Sequence, residues 1–289
     1  MPSSAEQSSW KYIALIALGA FCYSTLIIFT RLTQGLDAMS VAFFRTFFAF
    51  AFFCILLIFI REPLQVRAYA RQIGWLVALG VAVGVTAVLY IYAIQHTTAA
   101  NASLLVNSAP IYIAIISPWF LREARPKYTF LSLILLMVGV VLITNLTQLS
   151  FDLASLDGIM AGFLSGLTYS TTFMLSRRLR GKVSSFTQTL WGSGVAALIL
   201  TPFVFKVPWP VIVDNLPVLV PLGVVTLGIS SFVYYIALQR LKAQVVSNTA
   251  ILEPVSGVFI GLLIFQEVPG VLGVVGIVLI LASIYLITR

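Results

Sequence analysis

Two charged side chains stand well inside long apolar stretches, Arg45 and Glu253, and their type and placement make them the first candidates for chemistry. An ionised group in hydrocarbon is costly unless paired or hydrated, so such a residue marks either a functional contact or a structural one. Glu253 directly precedes Pro254, more than two turns from the near end of its apolar run. It suits three roles: attracting an amine, carrying a coupling proton, or pairing with a neighbouring helix. Arg45 lies roughly two turns from the outer end of its run. Snorkelling or binding helix carbonyls comes before solute contact as its reading. His96, the only histidine, sits in the short polar turn Gln95-His96-Thr97-Thr98, where water reaches it. Proton sensing is its second reading.

Polar residues inside apolar runs carry the next signal, because an unsatisfied polar group in lipid is expensive. One run holds Asn101, Ser103, Asn107 and Ser108, and a second holds Ser247, Asn248, Thr249 and Glu253. Helical spacing puts Ser103 and Asn107 on one face, with Asn101 and Asn248 nearer the loop ends. Pro110 and Pro254 fall about mid-run, and each removes a backbone hydrogen bond. Two broken helices meeting near the membrane centre make a credible solute site. The alternative is that these groups join helices by hydrogen bonds. Tyr23, Tyr90, Tyr169 and Tyr234 complete the candidate lining, each offering an apolar face and a hydroxyl to an amphipathic or cationic solute.

Positioning these residues is the task of membrane helices. Hydrophobic residues make up 60% of the 289 and charged residues 9%, against roughly 25% charge in soluble domains. Apolar windows give ten spans, at about 10 to 32, 38 to 60, 72 to 95, 99 to 120, 127 to 146, 155 to 177, 184 to 205, 217 to 239, 244 to 265 and 270 to 288. With ten spans and a cytoplasmic N-terminus, 14 of the 17 basic residues fall on the cytoplasmic side. Topology thus explains the net charge of +8 without an anionic polymer or nucleic acid as partner. Cys22 and Cys54, both in apolar runs, read as packing residues, which excludes a disulfide framework or metal cluster. The first apolar segment lacks a small-residue cleavage site and reads as a retained helix.

A repeat organises the spans. Tyr90, Ala93, Gln95, Ala99, Ser103, Pro110, Glu123 and Thr144 recur at a constant offset of 144 as Tyr234, Ala237, Gln239, Ala243, Ser247, Pro254, Glu267 and Thr288. Nearer the start of each half, Tyr23-Ser24-Thr25 reappears as Tyr169-Ser170-Thr171, and Arg31 is answered by Arg177. Five spans per half is an odd number, so the halves 1–146 and 147–289 enter the membrane in opposite senses. This is an all-α integral membrane protein of two inverted five-helix repeats, an arrangement that points toward solute movement. Stripes at Gly158, Gly162 and Gly166, at Gly80 with Gly84, and at Gly257 with Gly261 suit close helix packing. No Gly-rich loop ending in Gly-Lys-Ser/Thr exists to cradle ATP phosphates. A single histidine and no clustered intramembrane carboxylates argue against an enzyme.

The stretches Asn101 to Glu123 and Ser247 to Glu267, each with polar residues, a Pro, an apolar run and a Glu, resemble the EamA family, a branch of the drug/metabolite transporter superfamily. Arg45 after an outer loop, Arg177-Arg178 closing span six, and Glu253-Pro254 carry the same resemblance. It implies a ten-helix carrier of the inner membrane with both termini cytoplasmic, working by alternating access without a cofactor. Spans one, three, four, six, eight and nine would line its cavity, and five and ten would pack at the periphery or in a homodimer. Export of amino acids or related zwitterionic or cationic metabolites is the expected activity, driven by a proton or ion gradient or facilitative. Uptake of an organic cation and a channel-like pore are the alternatives. Tyr23 stands where many relatives carry Trp.

Overall fold

The computed structural model describes residues 4–60, 69–144, 155–266 and 269–288. Glu267, named above, lies outside these residues, as does the boundary between the halves. The described chain is helical: α1 Ser4–Ser24, α2 Leu26–Leu32, α3 Ala38–Ile60, α4 Ile73–His96, α5 Ala99–Val106, α6 Ala109–Phe120 and α7 Thr129–Ile143, followed by α8 Leu156–Arg178, α9 Ser185–Val204, α10 Trp209–Gly223, α11 Ser230–Leu238, α12 Ala243–Ala250, α13 Leu252–Phe265 and α14 Val271–Ile287. A π-helical turn, Val224–Ile229, joins α10 to α11. Among the described residues, five runs are long and apolar enough to cross a bilayer: Trp10–Leu32, Ala38–Phe59, Ala70–His96, Ala99–Phe120 and Trp209–Leu238. A helix suits that setting because it satisfies its own backbone polar groups.

Local side-chain chemistry places the breaks. Between α1 and α2, Ser24 Oγ donates to the Phe21 carbonyl and Thr25 Oγ1 to that of Cys22, both at 2.7 Å. Such back-bonding competes with the helix ladder and bends it. Between α5 and α6, Asn107 Nδ2 folds back on the Ser103 carbonyl at 2.8 Å. The break lies at Asn107 and Ser108, in the turn where Pro110 offers no backbone N–H to the Val106 carbonyl, and Pro110 occupies the first turn of α6. A missing N–H costs nothing there. Similarly, α12 ends at Ala250 and α13 begins at Leu252, two residues before Pro254.

Small residues let the helices approach. On α8, a Cβ at Gly162 would meet Leu105 Cδ1 at 2.8 Å, and one at Gly166 the Leu105 carbonyl at 2.6 Å, so α5 lies tight on this stripe. Helices α7 and α14 cross at Gly139 and Gly276, where a Cβ on Gly139 would stand 2.8 Å from the Gly276 carbonyl. Gly139→Val should lower stability by about 1–3 kcal/mol through overpacking, read as a lower unfolding temperature in detergent with Gly74→Ala, exposed and in open space, as the control that does not lower it. Gly257 has nothing within 4 Å of its Cβ position and borders a cavity, so its stripe is not a packing seam at that residue.

Among the described residues, four have left-handed backbones: Gly35 (φ 68°), Arg122 (56°), Gly181 (69°) and Gln266 (56°). They form two pairs, Gly35 with Gly181 at the 146-residue offset of Tyr23 and Tyr169, and Arg122 with Gln266 at 144. Left-handed non-glycine residues are uncommon, so the recurrence of a matching angle at a matching position is informative.

Candidate functional site

An aromatic stack forms the centre. Tyr23, in the last turn of α1, lies nearly parallel to Tyr90 of α4 with ring centroids 6.1 Å apart, and stacks on Tyr169 of α8 at 5.6 Å. Phe173 links Tyr169 (4.9 Å) to Tyr234 of α11 (5.7 Å). The Arg45 guanidinium sits over Tyr23, 5.3 Å from the ring centre. Its Nε and Nη2 donate to the hydroxyl and carbonyl of Thr226, each at 3.0 Å, inside the π-helical turn. Arg45 is 1% exposed, so these bonds and the ring face replace its water. Arg45→Met should cost about 1.5–3 kcal/mol, the worth of charged hydrogen bonds, measured as unfolding temperature; Arg45→Lys should recover part of the loss.

Glu253 stands beside this stack. The Tyr90 hydroxyl donates to its Oε1 at 3.3 Å, and the residue is 5% exposed. No ion pair reaches it among the described residues. Glu253 borders two spaces. One is a cavity of about 860 Å³ whose described lining includes Ser24, Arg31, Ser103, Thr144, Pro254 and Gly257. The other is a void of about 10 Å³, bordered by Asn107, Pro110, Tyr169 and Ser247, with room for about one water. Residues of both helix breaks border the void, and Gly257 borders the cavity.

The large cavity draws its described walls from α2, α5, α7, α13 and the start of α14. This differs from the implied lining: the ends of spans five and ten contribute, while Tyr90, Tyr169 and Tyr234 are not among its described lining residues. Of the residues singled out by sequence, Ser103, Pro254 and Glu253 line this cavity, Asn107, Pro110 and Tyr169 border the void beside it, and Tyr23, Tyr90, Tyr234 and Arg45 belong to the aromatic stack. Three do not. Asn248 is fully buried in a network that runs from Gln244 Nε2 to its Oδ1 (2.8 Å) and from its Nδ2 to Ser132 Oγ (2.6 Å), with Ser132 meeting Ser283. Asn101 Nδ2 donates to Thr97 at 2.9 Å near the start of α5. His96 stacks on Tyr92 at 3.8 Å, and Tyr92 donates to Asp157 at 2.7 Å, at the exposed end of α4.

A second polar cluster ties helix ends together around Arg177. Arg177 Nε meets Glu123 Oε1 at 2.6 Å, and its Nη1 donates to the Leu238 carbonyl at 2.6 Å. Glu123 Oε2 also accepts the Ala243 backbone N–H at 3.2 Å. One carboxylate thus joins the loop after α6, the end of α8 and the start of α12. Lys242 adds a bond to the Ala124 carbonyl at 3.0 Å. The sequence showed these groups as loop charges; only the repeat, which pairs Arg31 with Arg177 and Glu123 with Glu267, hinted that they work together.

The sequence model of the EamA-like transporter family matches residues 10–145 and again 156–289, and the chain belongs to that family. An uncharacterized transporter of Archaeoglobus fulgidus is 30% identical over 277 residues, covering 96% of each chain. The pseudopaline exporter CntI of Pseudomonas aeruginosa is 24% identical over 279 residues, covering 96% of this chain and 95% of its own. A solved crystal structure shares the fold, with a TM-score of 0.74 at 18% identity over 96% of each chain. The protein is therefore a multi-pass membrane transporter and not an enzyme.

Proposed function

We propose that the chain is a ten-span inverted-repeat carrier that exports small amine-bearing metabolites by alternating access, with Glu253 as the site that holds the solute amine or a coupling proton. The spans are α1 with α2, α3, α4, α5 with α6, and α7, then α8, α9, α10 with α11, α12 with α13, and α14. The paired left-handed residues support duplication. Inversion is supported by α4, about 36 Å long at helical rise. Gln95 near its C-terminal end bonds the Leu36 carbonyl beside Gly35, whereas Trp75 near its N-terminal end lies 4.5 Å from the Arg178 guanidinium beside the turn at Gly181. Repeat-related turns thus stand at opposite ends of one helix. With basic loops inside, both termini are cytoplasmic, the Arg31 end faces outward and the Arg177 end inward.

The observation that carries the reading is Glu253 between an open cavity and a closed void, with the far end tied by Arg177 and Glu123. A carrier needs one site reached from one side at a time. The relative described as a pseudopaline exporter supports export. Purified protein should be stabilised against heat by at least one amine-bearing member of a broad metabolite panel, and that compound should show saturable flux in proteoliposomes. Absence of saturable flux for every stabilising compound would contradict the proposal.

A further inference from the structure

We infer that the large cavity selects its solute by two opposite charges held apart, an ammonium at Glu253 and a carboxylate or similar anion at Arg31. The inference rests on the reading of Glu253 above and adds a second contact at the mouth.

Among the described lining residues of this cavity, Arg31 and Glu253 are the only charged ones. Ser24, Ile27, Ile28 and Arg31 line it together, spaced as one helix face. Arg31 lies seven positions after Ser24, about 10 Å along the axis. Glu253 stands near the level of Ser24, because Tyr90, its hydrogen-bond donor, stacks on the adjacent Tyr23. Arg31 is exposed and forms no hydrogen bond or ion pair among the described residues. Between the charges, the wall is apolar at Ile27, Ile28, Ala100 and Val258.

This layout favours an elongated zwitterion with a short hydrocarbon between its charges. A bent Arg31 side chain shortens the gap, since its stem can lie along the apolar wall. An α-amino acid carries both charged groups on one carbon and reaches only one partner. Glu253 dominates affinity because it is buried, whereas a rim charge in water contributes less and sets preference.

Four probes separate these terms: 6-aminohexanoate, its isomer 2-aminohexanoate, hexylamine and hexanoate. Dissociation constants are read by thermal-shift titration of the purified full chain. Binding of 6-aminohexanoate should be at least about threefold tighter than that of hexylamine or 2-aminohexanoate, with hexanoate weakest. Arg31→Gln should bring 6-aminohexanoate to the level of hexylamine without changing hexylamine itself, and Arg31→Lys should keep most of the preference. Arg31 is exposed, so both variants fold. An unchanged preference in Arg31→Gln overturns the two-charge inference while leaving the carrier reading intact. Hexylamine binding that ignores Glu253→Gln, or no binding by any amine, overturns the assignment of Glu253 and both readings with it.

Discussion

Replacing Glu253 with glutamine should reduce flux at low solute concentration by about ten- to hundredfold while the protein remains folded. The magnitude follows from the worth of a hydrogen bond to a charged group, about 1.5–3 kcal/mol, at tenfold per 1.4 kcal/mol. Glutamine keeps the shape and an oxygen to accept the Tyr90 hydroxyl, now at 3.3 Å, so α4 and α13 remain joined. What disappears is the charge between the two spaces. Tyr90→Phe, which removes only the donor, should cost less. Flux of a stabilising compound in proteoliposomes, alongside unfolding temperature, checks both variants. Wild-type flux in well-folded Glu253→Gln would reduce Glu253 to a packing residue.

The second large effect lies at the tied end. Glu123→Gln should open that end, because one carboxylate holds both Arg177 and the Ala243 N–H, and glutamine cannot pair with the guanidinium as an ion. Breaking a buried pair is more costly than breaking an exposed one; with exposures of 7% and 16% this pair lies close to buried. The reporter is Ser247→Cys in a chain with Cys22→Ala and Cys54→Ala. Ser247 is 3% exposed, borders the small void, and lies one turn in from Ala243. Its reaction with a membrane-impermeant thiol reagent applied from the Arg177 side should speed up about tenfold, equivalent to a shift of 1.4 kcal/mol. An unchanged rate would mean that the Arg177–Glu123 pair is not what closes this end.

The central charges were legible because burial of an ion in an apolar run is costly wherever it occurs, so Arg45 and Glu253 announce themselves without partners in view. The symmetric tyrosines were legible for a related reason, since the repeat singled them out from the other aromatics. Partners distant in sequence were not legible. Asn248 is satisfied by Ser132, 116 residues away, and Arg177 by Glu123, 54 away, and no spacing rule links such pairs. The prolines drew attention to the two breaks, which lie at Asn107 with Ser108 and at Ile251, within the turn before Pro110 and Pro254; the bond from Asn107 to the Ser103 carbonyl that accompanies the first was not legible. Gly35 and Gly181 escaped notice because the offset shifts from 144 to 146 in the front of each half; their shared backbone angle reveals the match.

Counterflow tests alternating access most directly. Proteoliposomes loaded with an unlabelled stabilising solute and diluted into a trace of the labelled compound should accumulate label transiently above equilibrium. A site that faces one side at a time returns loaded more often than empty, so internal solute stimulates entry of the label. Label that rises only to equilibrium, with no stimulation by internal solute, would contradict a carrier and describe a pore.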